Sequence, residues 1–281
     1  ARHPRTGKNM VPTVLHGEEM EHPLDRRIPL AKWLASPDNP WFGKSIVNRY
    51  MSYLLGRGLV EPVDDLRSTN PATNEEMFGA LATYLEENQY DVKQLVKVIM
   101  NSRLYQLSSQ PTELNKSAGK FYAFYKVKRI AAEPLLDAIN TATGTTVKFT
   151  NLPLGTRAIE LPDTNYNNYF LKTFGKPRRV SVCECERAPD ENLAQALHTL
   201  NGDTINSKIE AKDGRLNKLI TAEKTDEEII TALFIATWSR TPTEQELTVC
   251  KEIVAEAGQR KEGLGDVLWA LINAKEFIYV R

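Results

Sequence analysis

The stretch of residues 39–71 constrains the fold of this chain more than any other. It reads NPWFGKSIVNRYMSYLLGRGLVEPVDDLRSTNP. Pro40 suits a first helical turn, where no backbone donor is needed, and Gly56 suits a left-handed helix end. Between them, large apolar residues recur at the three- and four-residue steps of one helix face: Phe42, Ile46, Val47, Tyr50, Tyr53 and Leu54. The sequence therefore predicts a helix from Pro40 to Gly56, with the other elements packed around it.

Polar residues within this stretch need an explanation. Asn48 and Arg49 lie beside the apolar face, so we expect at least one of them to be partly buried. A buried arginine needs an anionic partner, because an unpaired charge in an apolar interior is very costly. Asp64 and Asp65 follow in the next loop, with Arg67 just beyond them. We favour a structural network of ion pairs that pins the loop to the helix.

The same four charged residues also admit a functional interpretation. Clusters of charged groups with perturbed pKa values collect at functional sites. On this hypothesis Asp64 or Asp65 acts on a ligand or a metal, and Arg49 and Arg67 complete the site. Plain exposure to solvent is the third alternative.

Helix signals recur along most of the remaining chain. A capping residue precedes an apolar periodic segment at several positions, which are Thr73, Asp91, Thr225 and Thr243. We also predict a long helix from Lys120 to Asn140, bent at Pro134. The sequence thus predicts a mainly α fold, a multi-helix orthogonal bundle. We expect residues 1–27 to form an extended linker and residues 28–281 to form a single helical domain.

Residues 141–187 differ in character from the helical segments. They are rich in Gly, Thr, Asn and Pro, and the segments TTVKFT and RRVSVCEC have β character. We expect an irregular insert here, with at most a small β-sheet.

The charge balance excludes some partners. The 281 residues include 36 basic and 36 acidic side chains, so no global field attracts nucleic acid. No apolar run of about twenty residues occurs, so no membrane span is predicted. The opening segment ARHPRTGKNMVP reads as a linker, and we expect the chain to be a fragment of a longer protein.

The insert carries the most distinctive side chains. Cys183 and Cys185 are one residue apart and could bind a soft metal together with Cys250 and His198. A disulfide between two of the three cysteines and buried free thiols are the alternatives. Glu184 and Glu186 either pair with Arg178, Arg179 or Arg187 or perform acid–base chemistry. Arg178 and Arg179 belong to a basic patch that either is solvated and paired internally or binds an anionic polysaccharide.

Several segments, taken together and in order, resemble one protein family. They are LAKWLASPDNPWFGKSIVNRYMSYLLGRGLVEPVDDLRSTNPATNEEM, SRLYQLSS, KRIAAEPLLDAI, CECERAPDENLAQALHTLNG, ATWSRTPTEQEL and LWALINAKEFIYVR. The chain is similar over about residues 25–281 to the Planctomycete secreted domain one family, a domain of unknown function that ends large exported proteins. The resemblance implies upstream domains in the same polypeptide, often including a c-type cytochrome, and export to the periplasm, cell envelope or medium. It implies no catalytic residues.

We therefore expect an exported, non-catalytic structural or binding module of a large envelope protein. A polysaccharide-active or polysaccharide-binding protein is the first alternative, and a scaffold for electron transfer by an upstream cytochrome is the second. The chain has no C-x-x-C-H segment, so we expect no haem and no other cofactor within it.

Overall fold

The computed structural model describes residues 2–14, 19–36, 39–162, 166, 168–177 and 203–280. The described chain is mainly helical with one small two-stranded sheet, which confirms the predicted fold class. The backbone groups into two compact units, Ala1–Lys126 and Val127–Arg281. The expectation of a linker over 1–27 and one domain over 28–281 stays a prediction.

The described residues of the first unit form four helices and one short turn of 3₁₀-helix. They are α1 (Arg27–Leu34), α2 (Pro40–Leu55), α3 (Glu75–Glu87), α4 (Val92–Asn101) and the 3₁₀ turn Gly119–Phe121. Before α1, isolated bridges pair Arg2 with Asn9 and Thr13 with Glu19.

Helix α2 begins and ends where the sequence predicts. The side chain of Asn39 accepts a hydrogen bond from the Trp41 amide, and Pro40 occupies the first turn. Gly56 ends the helix with φ of 72°, the left-handed conformation that glycine adopts without strain. The buried face of α2 joins residues of α3 and α4 in one apolar core, which includes Val47, Met51, Leu55, Phe78, Leu85, Leu95 and Ile99.

One predicted helix cap in this unit is wrong by a single residue. Asn74, and not Thr73, caps α3, and its side chain accepts from the Met77 amide. The Thr73 hydroxyl instead donates to the carbonyl oxygen of Leu59 at 3.1 Å. Thr73 and Asn74 are both good capping residues, and the loop contact of Thr73 decides between them.

The second unit contains the remaining elements. They are β1 (Lys128–Arg129), α5 (Ala132–Thr143), the 3₁₀ turn Ala158–Glu160, α6 (Tyr169–Thr173), α7 (Asp203–Ile209), α8 (Arg215–Thr221), α9 (Asp226–Trp238), α10 (Glu244–Glu256), α11 (Arg260–Asn273), α12 (Lys275–Ile278) and β2 (Tyr279–Val280). The helix caps predicted at Thr225 and Thr243 both form, and each is part of a capping box, with Glu228 and Glu246 respectively.

The predicted long helix from Lys120 to Asn140 is wrong. The chain forms β1 first, and α5 begins only at Ala132, so Pro134 lies in the first turn of a helix and bends nothing. Strand β1 pairs antiparallel with β2, with Arg129 opposite Tyr279. The small sheet therefore lies outside the predicted insert, and the described residues of 141–177 contain no strand.

Asp137 on α5 organises the described part of the insert. Its carboxylate is 7% exposed and accepts hydrogen bonds from the amides of Ala158 at 2.7 Å and Ile159 at 3.1 Å. The Arg157 guanidinium Nε lies 3.7 Å from the same carboxylate. Asp137 thus holds the 3₁₀ turn against α5.

The core of the second unit is formed chiefly by α5, α9 and α11. Among its fully buried side chains are Leu135, Leu136, Ile139, Ile229, Leu233, Leu264 and Leu268. Of the helices that the structure describes, none combines the length and the hydropathy that a bilayer crossing requires.

Candidate functional site

The loop after α2 is closed by the side chain of Asn48. We call residues 56–74 the anchor loop. Asn48 is completely buried; its Nδ2 donates to the carbonyl oxygens of Val60 at 2.9 Å and Val63 at 2.8 Å, and its Oδ1 accepts from the Val60 amide at 2.9 Å. A Cβ atom on Gly58 would lie 2.8 Å from this Oδ1, so glycine lets the loop approach.

Further hydrogen bonds hold the rest of the anchor loop. The Asn70 Nδ2 donates to the carbonyl oxygens of Glu61 at 3.1 Å and Asp65 at 2.9 Å. The Gly58 amide donates to Glu61 Oε1 at 2.6 Å. Thr73 donates to Leu59 through both its amide and its hydroxyl. Because side chains satisfy so many backbone groups, this loop has one defined conformation despite having no regular secondary structure.

The four charged residues predicted in this stretch form two separate ion pairs. Arg49 on α2 contacts Asp64, with the two side chains 31% and 41% exposed. Arg67 donates from Nε and Nη2 to the two carboxylate oxygens of Asp65, at 2.6 and 2.7 Å. The Arg67 hydrogen bonds hold the pKa of Asp65 below its usual value, and the same bonds raise the pKa of Arg67.

This pairing bears on the alternatives for Asp64 and Asp65. Each carboxylate is paired with a different arginine. Among the described residues, no group of three or more histidine, cysteine, aspartate or glutamate side chains is arranged to hold a metal.

A groove of about 210 Å³ opens beside the anchor loop and brings in residues that sequence analysis did not select. We call it the loop groove. It is bounded by the start of α2, the anchor loop and the start of α3. Its lining residues are Trp41, Lys44, Val60, Leu66, Arg67, Ser68, Asn70, Pro71, Ala72, Glu75 and Phe78.

Within the loop groove, apolar and polar groups are segregated. Phe78 and Val60 are buried core residues, whereas Trp41 is 49% exposed. Lys44 Nζ lies 5.3 Å from the centroid of the Phe78 ring and 3.9 Å from a Glu75 carboxylate oxygen. The other Glu75 oxygen accepts from the Ala72 amide at 2.8 Å. An apolar base with a few polar groups around it is the usual composition of a ligand site.

Of the predicted site residues that the structure describes, only Arg67 lines this groove. Trp41 and Lys44 on α2 and Asn70 in the anchor loop were missed because the two segments become neighbours only in the folded protein. A tryptophan one turn before a lysine at a predicted helix start is a sequence signal that could have indicated the first two.

The predicted site residues of the insert lie outside the described residues. They are Arg178, Arg179, Cys183, Cys185, Glu184, Glu186 and Arg187. Cys250, the third cysteine, lies on α10 as a buried free thiol, and burial raises its pKa.

The fold and the loop groove define a mainly helical protein with a small surface cleft. A family model described as a protein of unknown function (DUF1553), PSD1, matches residues 26–254. The chain belongs to this family. No curated protein and no solved structure matches the chain.

Proposed function

We propose that the chain is a non-catalytic, polysaccharide-binding module of an exported protein, and that it binds this ligand in the loop groove. One observation carries the proposal. Asn48 and Arg49 of α2 and the polar residues of the anchor loop are engaged with one another, so they hold the walls of the groove in place. A groove whose walls are held before the ligand arrives loses little conformational entropy on binding.

The state of Asp65 supports binding over acid–base catalysis. A catalytic carboxylic acid needs a pKa raised toward the working pH. The hydrogen bonds from Arg67 instead lower the pKa of Asp65, so it remains a carboxylate that positions Arg67. Asp64 is likewise paired, with Arg49. Glycoside hydrolysis also needs two carboxyl groups that flank one bond, and these two are bound to different arginines.

Export and the larger polypeptide rest on the family resemblance. We infer that this chain is the C-terminal part of an envelope protein whose upstream domains are its partners in the same polypeptide. Fractionation of cells that carry the gene tests this inference. Recovery in the envelope or medium is expected, and recovery in the cytoplasm would contradict it.

A co-sedimentation assay tests binding against catalysis. The protein is incubated with insoluble cellulose, chitin, calcium alginate and calcium pectate, and the supernatant is assayed for protein and for new reducing ends. We expect it to sediment with at least one of these polysaccharides and to release no reducing ends.

Two results would contradict the proposal. One is failure to sediment with any polysaccharide. The other is the release of reducing ends by the native protein that Asp64→Asn or Asp65→Asn abolishes, because the paired carboxylates would then be catalytic.

A further inference from the structure

Two cations line the loop groove, and one of them lacks a hydrogen-bonded counter-charge. Lys44 and Arg67 both line it; Asp65 binds Arg67, and Glu75 is the carboxylate near Lys44 among the described residues. One oxygen of Glu75 is occupied by the Ala72 amide, and the other lies 3.9 Å from Lys44, beyond hydrogen-bonding distance. Lys44 therefore has an incomplete set of acceptors around its ammonium group.

Arg67 presents a free donor in a fixed position. Asp65, only 22% exposed, binds Nε and Nη2 of the guanidinium and so orients it. Among the described residues, Nη1 has no acceptor. The Arg67 side chain is 76% exposed, so an anion can reach this edge without breaking the pair with Asp65. Arginine binds carboxylate and sulfate oxygens well because its donors lie in one plane.

The loop groove also offers an aromatic surface and neutral polar groups. The indole of Trp41 is 49% exposed at the start of α2, where it covers no core. Ser68 has no hydrogen-bond partner among the described residues, and Asn70 uses its Nδ2 for two carbonyl oxygens, which leaves Oδ1 as an acceptor. A ligand ring with one apolar face, several hydroxyl groups and one negative group would complement this indole, these neutral polar groups and the two cations of the groove.

The volume limits how much of a ligand the loop groove can hold. About 210 Å³ is smaller than the roughly 300–1,000 Å³ of sites that enclose whole drug-sized ligands. It therefore suits a single ring of a longer chain, with the neighbouring rings outside.

We propose that the loop groove binds one acidic sugar residue of an anionic polysaccharide, with the anionic group held by Lys44 and Arg67 and the ring against Trp41. This inference rests on the proposed function and narrows it to a ligand class. A carboxylate and a sulfate ester share the required chemistry, and the test separates them.

Isothermal titration calorimetry with short oligosaccharides tests the proposal. The probes are tetragalacturonate, its fully methyl-esterified form and a sulfated galactose tetrasaccharide. The ester keeps the rings and removes the charge. We expect at least one acidic probe to bind, and the ester to bind at least about tenfold more weakly, since one charge-assisted contact contributes about that factor. Affinity should fall as salt is added.

Two of the groove variants can be compared with control variants at similar residues elsewhere in the first unit. Arg67→Ala, Lys44→Met and Trp41→Ala should each weaken binding of the acidic probe by about tenfold. Arg27→Ala is the control for Arg67, because Arg27 makes the same pair with an aspartate two residues earlier. Phe121→Ala is the control for Trp41, because Phe121 is 58% exposed outside the groove. Both controls should bind as the native protein does, and thermal unfolding confirms that each variant folds.

The outcomes separate this inference from the proposed function. Equal binding of the acid and the ester, or native affinity in Arg67→Ala and Lys44→Met, overturns the acidic ligand while the binding module stands. Sedimentation with cellulose or chitin, with no acidic probe bound, has the same consequence. Failure to sediment with any polysaccharide removes the proposed function as well.

Discussion

Asn48 and Val60 exchange two hydrogen bonds, one from the side-chain Nδ2 to the Val60 carbonyl oxygen and one from the Val60 amide to the side-chain Oδ1, both at 2.9 Å. A helix side chain thus pairs with a loop residue as a neighbouring strand would. Asn48 is fully buried and Val60 is 3% exposed, so water cannot replace either bond.

Asn48→Ala should strongly destabilise the first unit. The substitution leaves the Val60 amide and the carbonyl oxygens of Val60 and Val63 without their partner in a buried site. We expect a loss of about 3 kcal/mol in the free energy of unfolding, measured by urea denaturation. Asn101→Ala is the matched control, because Asn101 is exposed and its side chain donates, among the described residues, only to the Lys97 carbonyl oxygen of its own helix. A loss below about 0.5 kcal/mol in Asn48→Ala would contradict the structural role of Asn48.

Gly263→Ala and Gly79→Ala should have opposite effects. Both glycines lie within helices, where alanine is intrinsically better by about 1 kcal/mol. A Cβ on Gly263 would lie 2.7 Å from the Val254 Cα, whereas one on Gly79 would meet no atom within 4 Å. Gly79→Ala should therefore raise the melting temperature and Gly263→Ala should lower it. A rise in both variants would show that α10 and α11 approach less closely than described.

Stability in acid should depend on Glu246. Hydrogen bonds from Arg240 are the main cause that lowers the pKa of Glu246 from 4.5 to about 2. A carboxylate with a folded-state pKa below its unfolded value adds stability above about pH 4.5 and loses it as the pH falls toward 2.

In Glu246→Gln, the free energy of unfolding should fall less steeply as the pH is lowered through that window. We expect a difference of about 1 kcal/mol, since both side chains are partly exposed and solvent screens the pair. Urea denaturation between pH 7 and pH 2.5 measures it. Glu252→Gln, at an exposed position on the same helix, is the control. If the free energy of unfolding fell as steeply with pH in Glu246→Gln as in the native protein, the role of the Arg240 pair would be contradicted.

Stability at alkaline pH should depend on Lys128. Burial lowers the pKa of Lys128 from 10.5 to about 8. Between these values the unfolded chain binds a proton that the folded protein has released, so the contribution of Lys128 rises with pH. Between pH 8 and pH 10.5, the free energy of unfolding of the native protein should rise by on the order of 1 kcal/mol relative to that of Lys128→Met. Identical pH profiles would contradict the effect of partial burial on Lys128.

The sequence predicts those parts of the fold whose causes are local. Gly56, Asp91, Thr225 and Thr243 end or begin helices through groups within a few residues, so short patterns reveal them. The two-residue strand β1 pairs with a segment at the other end of the unit, and no local pattern marks it. The same limitation led to the wrong prediction of a helix over Lys120–Asn140.

The candidate site, like the fold, could be predicted only where its causes are local in sequence. The pairs Arg49–Asp64 and Asp65–Arg67 could be predicted, because opposite charges flank one helix and its following loop. The groove could not, because Trp41, Asn70 and Glu75 become neighbours only when α2, the loop and α3 are assembled. Its polar residues have no spacing in sequence that distinguishes them from solvated ones.

Hydrogen exchange at the Val60 amide tests the central claim most directly, which is that Asn48 and the polar residues of the anchor loop hold that loop rigid. In the native protein we predict that this amide exchanges as slowly as the buried amides of α2, and that Asn48→Ala speeds its exchange by about 100-fold. Rapid exchange of the Val60 amide in the native protein, or the same rate in Asn48→Ala, would contradict the account.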